Sequence, residues 1–245
     1  MTMSAKPATA LQVIATGVYE HVLEDLVGPF AQATGQAVAF VITNAGGVIA
    51  KLDADAAADV VMTSGVGIDS LAAKGKVVRA SKVDVGGMRL GVAITAGLPV
   101  PDIATADALR AALRAAPAVA SIDPHGGGTS GPFIAKVFER LGVADEVRAR
   151  GILCATGGDV VRALASGEAA LGMTQAAELI GLPGIAFAGF LPAELQLVTV
   201  YSAAVTSQAK LPAAAAAFIS FITGPAAAAR LRSSGWDAAP SAGQM

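Results

Sequence analysis

Four segments of this 245-residue chain place glycine beside hydroxyl or amide side chains directly after short apolar runs. They are Thr16-Gly17, Asn44-Ala45-Gly46-Gly47, Gly126-Gly127-Gly128-Thr129-Ser130-Gly131 and Thr156-Gly157-Gly158-Asp159. Each stands where a helix is expected to begin. A helix N-terminus offers unpaired backbone N–H groups and a partial positive charge, which suits an anion. Glycine lets the backbone come close to a ligand, and Ser, Thr and Asn add donors without adding charge. The candidate ligand contacts are therefore Thr16, Gly17, Asn44, Ala45 and Gly46, followed by Thr129, Ser130, Gly158 and Asp159. Any one such loop is equally consistent with an ordinary turn and helix cap. Four in one chain are a stronger signal.

The groups able to move a proton are fewer. Gln175 and Glu178 follow the apolar run that ends at Thr174. Gln175 can both donate and accept, and joins the candidate contacts. Glu178 is a candidate general base, with a solvated helix residue as the plainer alternative. His125 lies in the longest glycine loop and is the second candidate for proton transfer, since imidazole titrates near neutral pH; its plainer role is a satisfied loop residue. His21 is expected to be an exposed helix residue, and Arg162 to lie on a helix face. Tyr201 is expected either to face a cleft or to pack in a hinge, and Trp236 to anchor a core or an edge.

Gly126, Gly128 and Gly131 spell G-x-G-x-x-G, a weak dinucleotide signal when alone, and no lysine follows to make a phosphate-binding Walker loop. Asp123, His125 and Ser130 have the residue types of a hydrolase triad but crowd into one loop, with no G-x-S-x-G elbow. No His, Cys and carboxylate cluster has metal-ligand spacing, so no metal and no cofactor is expected.

Composition narrows the classes further. Seventeen Lys and Arg against nineteen Asp and Glu give a net charge of −2, and aromatics are 4%. That balance does not suit nucleic-acid binding. One cysteine, Cys154, excludes an internal disulfide framework. The mean hydropathy of +0.61 raises the question of a membrane span. Leu211 to Ala229 is free of charge, but it is mostly alanine and holds Pro212 and Gly224-Pro225. It is expected to be a buried helix ended by Gly-Pro, and no membrane insertion is expected. Met1 to Ala10 contains Lys6 and Pro7 without an apolar secretory core, so a cytoplasmic location is expected, or a periplasmic one if a leader has been removed.

The elements that must position these loops alternate. Strands are expected at Leu11–Ala15, Ala37–Ile42, Ala58–Met62, Arg89–Ile94, Val119–Ile122, Ala170–Thr174 and Leu197–Val205. Helices are expected at Val18–Thr34, Gly47–Leu52, Val66–Lys74, Thr105–Ala115, Pro132–Leu141, Asp159–Ala165, Ala213–Ile222 and Ala226–Ser233. The order implies an α/β fold with parallel sheets covered on both faces, and ligands at the carboxyl ends of the strands.

On these residues the chain resembles the type II periplasmic-binding-protein family, in its molybdate-binding-protein-like branch. The phrases that carry the likeness are Ala15-Thr16-Gly17, Phe30 to Gly35, Asn44 to Gly47, Ala58 to Met62 and Gly167 to Gly172. The resemblance implies two Rossmann-like lobes joined by two crossover strands, near Arg89–Ile94 and Val198–Val205, with a ligand in the cleft. Residues 1–91 and 201–245 would form lobe one, and 92–200 lobe two. Thr16-Gly17 and Gln175 depart from the molybdate pattern, which has Ser and Tyr there. Asp123 to Gly131 and Leu191 to Gln196 resemble instead an aconitate-isomerase-like side branch. The implied ligand is a small organic carboxylate, and the implied activity is a cofactor-independent isomerisation of an unsaturated di- or tricarboxylate. The alternative is the solute-binding component of an ABC transporter for molybdate or another small oxyanion.

Overall fold

A computed structural model describes residues 9–239; the reading made on the first eight residues lies outside them. In chain order the first elements are β1 (Leu11–Thr16), α1 (Glu20–Thr34), β2 (Val38–Thr43), α2 (Ala45–Asp53), β3 (Val60–Ser64), α3 (Gly65–Ala73) and β4 (Val83–Thr95). The middle of the chain forms α4 (Ala106–Ala115), β5 (Val119–Ile122), α5 (Gly131–Arg140), α6 (Ala144–Arg150), β6 (Gly151–Cys154), α7 (Gly157–Ala165), β7 (Leu171–Gln175) and β8 (Ile185–Phe190). The last elements are β9 (Val198–Val205), α8 (Pro212–Ile222), α9 (Pro225–Ser233) and β10 (Trp236–Asp237). One-turn 3-10 segments follow β1 at Gly17–Tyr19 and β7 at Ala176–Glu178.

The strands run in the order β2-β1-β3-β9-β4-β7-β5-β6, with β8 and β10 also paired to β4. Pairing is parallel among β1, β2 and β3 and among β5, β6 and β7. Both parallel groups join the rest through antiparallel strands, so the sheet is mixed where a parallel one was expected. The thirteen-residue β4 is the common member: Val83 to Arg89 pair with β9, and Leu90 to Ile94 with β7. The sequence reading found only its second, apolar part. It also omitted α6, β6, β8 and β10.

Local chemistry explains the elements. In α1, Val22, Leu23, Leu26 and Phe30 form the buried stripe, and Gly35 at φ 74° ends the helix with its N–H on the Ala31 carbonyl. The stripe packs on α8 through Phe30 and Phe218, whose ring centroids are 5.1 Å apart. Beneath the strand ends Tyr19, Tyr201 and Trp236 pack together, with centroids 5.0 to 5.9 Å apart. Such pairs contribute about 0.5–1.5 kcal/mol each beyond their buried area. The charge-free stretch after Lys210 is α8 and α9, bent by 56° at Gly224-Pro225. Among the described residues no single helix is long and apolar enough to cross a membrane.

Asp59 ties both ends of the chain into this core. Its side chain is buried, and its two carboxyl oxygens accept the backbone N–H groups of Gln12, Lys210 and Leu211 at 2.9, 2.7 and 2.9 Å. Replacing it would leave three donors unpaired around a small void. Asp59→Ala is expected to lower unfolding free energy by about 3 kcal/mol in a denaturant titration; a loss within the error of the fit would show that water replaces the carboxylate at no cost.

Candidate functional site

Four strand-to-helix turns converge on one cavity of about 290 Å³. Thr16, Gly17 and Val18 come from the end of β1, and Asn44 and Ala45 from the start of α2. Gly128, Thr129 and Ser130 come from the approach to α5, and Ala155 to Gly158 from the start of α7. Gln175 and Glu178 rise from the end of β7, and Tyr201 from β9.

The turns form as they do for local reasons. The Asn44 side chain caps α2 by accepting the Gly47 N–H at 2.8 Å. Thr156 and Asp159 make a reciprocal capping box on α7: the Thr156 hydroxyl accepts the Asp159 N–H, and the Asp159 carboxylate accepts the Thr156 N–H at 2.9 Å. Thr16 and Ser130 stand at helix starts without capping them. The N–H groups of Gly157 and Gly158, the first two residues of α7, precede any intrahelical acceptor and line the cavity, whereas the second residue of α5 is Pro132, which has no N–H.

Several buried polar atoms here lack a partner. Thr16 Oγ1 and both Gln175 side-chain atoms, Oε1 and Nε2, are enclosed without a hydrogen bond. Leaving such atoms unpaired costs about 1–3 kcal/mol each. Their unmet capacity, together with the helix ends, describes a space suited to a small polar guest with several acceptors. Arg162 is the lining cation and Glu20 and Glu178 the lining acids, so attraction for an anion rests largely on N–H groups.

Glu178 occupies the floor. The surface it retains opens onto cavity space, and protein crowds the carboxyl closely. A β-carbon built on Gly17 or on Gly157 would collide with that carboxyl, so both glycines are needed for it to sit there. Thr174 Oγ1 donates to Glu178 Oε2 at 2.6 Å. Burial pushes the Glu178 carboxyl up to about 7, against the hydrogen bonds from Thr174 and the Gln175 backbone. Burial also drives the Tyr201 phenol well above its ordinary value, reinforced by the Glu178 charge, so Tyr201 is a proton donor near neutrality. Burial lifts the Cys154 thiol to about 11, which keeps it unreactive.

The candidates Thr16, Gly17, Asn44, Ala45, Thr129, Ser130, Gly158, Gln175 and Glu178 thus meet at one place. Three others do not line it. Asp159 is engaged in the capping box, and its other carboxyl oxygen accepts from Arg162 at 2.6 Å. Burial raises the Asp159 carboxyl, and the Thr156 and Arg162 hydrogen bonds more than cancel this, so the net shift is downward. Gly46 donates its N–H to the Gly127 carbonyl at 2.9 Å. His125 is exposed, with its backbone N–H on Asp123 Oδ1 at 2.9 Å in a turn that leaves the ring outside the lining. Gly157 and Arg162 were not among the candidates. Gly157 was legible as the first helical residue after the Thr156-x-x-Asp159 box.

The mouth is bridged. Asn44 Nδ2 donates to the carbonyls of Gly126 at 3.0 Å and Ala155 at 3.4 Å, beside the Gly46–Gly127 bond. A β-carbon on Gly46 would stand 3.2 Å from the Gly127 α-carbon. Gly46→Val is expected to hold the mouth apart, read as a larger radius of gyration in solution scattering with thermal stability retained; an unchanged radius would refute the bridge as a closure contact.

The raised Glu178 carboxyl also fixes a pH dependence. The folded state holds this proton more tightly than the unfolded chain does. Stability is therefore fullest below the ordinary value of 4.5 and falls as pH rises to about 7, by up to about 3 kcal/mol. Glu178→Gln is expected to remove that slope and to be the more stable protein above pH 7, measured by unfolding across the range. A parallel loss in both proteins would place the titration elsewhere.

Comparison with known proteins agrees with this architecture. The sequence pattern of the bacterial extracellular solute-binding protein family matches residues 11–237. An aconitate isomerase from a Pseudomonas species is 31% identical over 246 residues, spanning 97% of this chain and 91% of that protein. The periplasmic molybdate-binding protein of Azotobacter vinelandii superposes with a TM-score of 0.79 at 25% identity, covering 92% of this chain and 98% of its own. The sulfate-binding protein of Mycobacterium tuberculosis gives 0.76 at 18% identity over 96% and 88%, a likeness of fold alone. With its mixed α/β sheet and its helix ends turned toward one cavity, the chain belongs to the bacterial extracellular solute-binding protein family and has the type II periplasmic-binding-protein fold.

Proposed function

We propose that the cavity takes a small unsaturated tricarboxylate and that the protein isomerises it without a cofactor. The observation that carries this reading is an acid–base group at the cavity floor. Burial pushes Glu178 up to about 7 in a space whose other polar lining, Glu20 and Arg162 apart, is uncharged. A general base works best when its pKa lies near the working pH. An ionised carboxylate at the floor opposes passive capture of an anion, whereas a base needs one there. The likeness to an aconitate isomerase supports the same reading.

In cis-aconitate a methylene lies next to a carbon–carbon double bond that carries carboxylates. The Glu178 carboxylate takes one methylene proton, breaking the C–H bond and forming O–H. The electron pair left behind spreads over the three-carbon allylic unit and the adjoining carboxylates. The N–H groups of Gly157 and Gly158 at the start of α7 and the hydroxyl of Thr16 meet the charge that develops there. Glu178 returns the proton to the far allylic carbon, and the double bond moves one position with new geometry. Atoms and electrons balance with no oxidant or reductant. Glu178 is the assigned proton carrier in preference to His125, which lies outside the lining.

A second reading, binding of a tetrahedral oxyanion for transport, is favoured by the molybdate-binding likeness. Incubation with cis-aconitate, followed by proton NMR, separates the two. The expected result is conversion to trans-aconitate, slowed at least about 100-fold by Glu178→Gln and little by His125→Ala. Thermal stabilisation by aconitate of about 2.7 kcal/mol at a hundredfold excess over Kd is expected alongside. No conversion, with strong stabilisation by molybdate or tungstate, would replace this reading with the second.

A further inference from the structure

Glu178 borders a second cavity, of about 150 Å³. Both cavities are bounded by Gly17, Glu20, Gly158 and Glu178. The second adds His21, Val161 and Leu182, none of which lines the first. The carboxyl therefore stands in a wall between two spaces, in a gap that exists because Gly17 and Gly157 carry no side chains.

The second space leads outward. The His21 side chain is 32% exposed, and its Nδ1 lies 3.0 Å from Oε2 of Glu24, which is itself 55% exposed. The contact with Glu24 engages Nδ1 and leaves Nε2 for another partner. The ionisable groups around Glu178 are Glu20 and His21 from α1, Arg162 from α7 and Tyr201 from β9. Of these, Glu20 and His21 border the second cavity, whereas Arg162 and Tyr201 line the first.

A base that works inside a filled and bridged cavity has no water on its working side. We propose that the second cavity is a proton port: the Glu178 carboxyl gains and loses its proton through the chamber lined by Glu20 and His21 while Asn44 and Gly46 keep the front mouth bridged. The carboxyl O–H bond breaks toward the chamber, water or His21 Nε2 takes the proton, and the proton leaves to bulk solvent; uptake is the reverse. The port deepens the isomerase reading, on which its role of bringing Glu178 to the ionised form that starts a turnover rests, but its existence does not depend on that activity.

The test follows the carboxyl itself. Full-length protein, its front cavity filled with tricarballylate (a saturated tricarboxylate that cannot isomerise) and held one unit below the Glu178 titration midpoint, is mixed into D₂O. The downshift of the protonated carboxyl C=O stretch is followed by rapid-mixing infrared spectroscopy, and the band is assigned by its loss in Glu178→Gln. Val161→Phe fills the chamber from a position outside the front lining and is expected to slow exchange tenfold or more, whereas Val161→Ala is expected not to slow it. Leu182→Phe is the second obstruction if Val161→Phe does not fold. Exchange at the wild-type rate in the obstructed variant would overturn the port, even in a protein that converts cis-aconitate. Slowed exchange in a protein that does not convert cis-aconitate would uphold the port and remove the isomerase reading.

Discussion

Water stabilises an ionised carboxyl more than almost any protein environment can, and Glu178 has been deprived of most of it. Two backbone turns without side chains, at Gly17 and Gly157, press on the group from separate parts of the sequence. The hydroxyl of Thr174 replaces part of the lost solvation. The remaining deficit appears as a proton held near neutrality, where an ordinary carboxyl would have released it. The arrangement of the cleft depends on this balance. The turns must stay close enough to exclude water, and the helices behind them must stay oriented so that their N–H groups reach the same space.

That orientation is a property of the sheet. β4 joins its two parts, and β9 and β7 flank it, so the turns after β1 and β2 face those after β5 and β6. Each turn alone is a weak anion site. Helix ends contribute about 0.3–1 kcal/mol apiece to a nearby charge at exposed positions and more where water is excluded. Gathering several around one enclosed volume makes the contributions cooperate, and the unpaired Thr16 and Gln175 atoms give the space its demand for a polar occupant.

Much of this was legible before any coordinates. Helices α1, α4 and α7 and strands β1 and β5 are local patterns: apolar residues at one period, stopped by glycine or opened by a cap. The four glycine turns were visible for the same reason, and they do converge. The parts that were not visible depend on distant partners. Only Val147 in α6 is buried, which leaves little apolar periodicity to detect. The strands β8 and β10 exist because β4 offers them an edge. The first part of β4 contains Gly86 and Gly87 beside charged residues and takes its strand form from β9. In the site, His125 had the right chemistry in the right loop, but an Asp123 turn sets its ring outward. Gly46 and Asp159 had the right spacing but are used to join loops and to cap a helix. The enclosure of Glu178 could not be read locally, because the glycines that make it lie far away in the chain.

The indole of Trp236 has a further consequence for how the protein is made. It packs between Tyr19 and Tyr201, and its strand pairs with the middle of β4. A segment made more than two hundred residues after Tyr19 thus completes the core that Tyr19 begins. At 5–20 residues per second the interval between Tyr19 and Trp236 is roughly ten to forty seconds. During that time the segments from β5 to β7 can fold on contacts among themselves. The N-terminal strands wait with an aromatic surface uncovered, a stage at which a chaperone has something to hold.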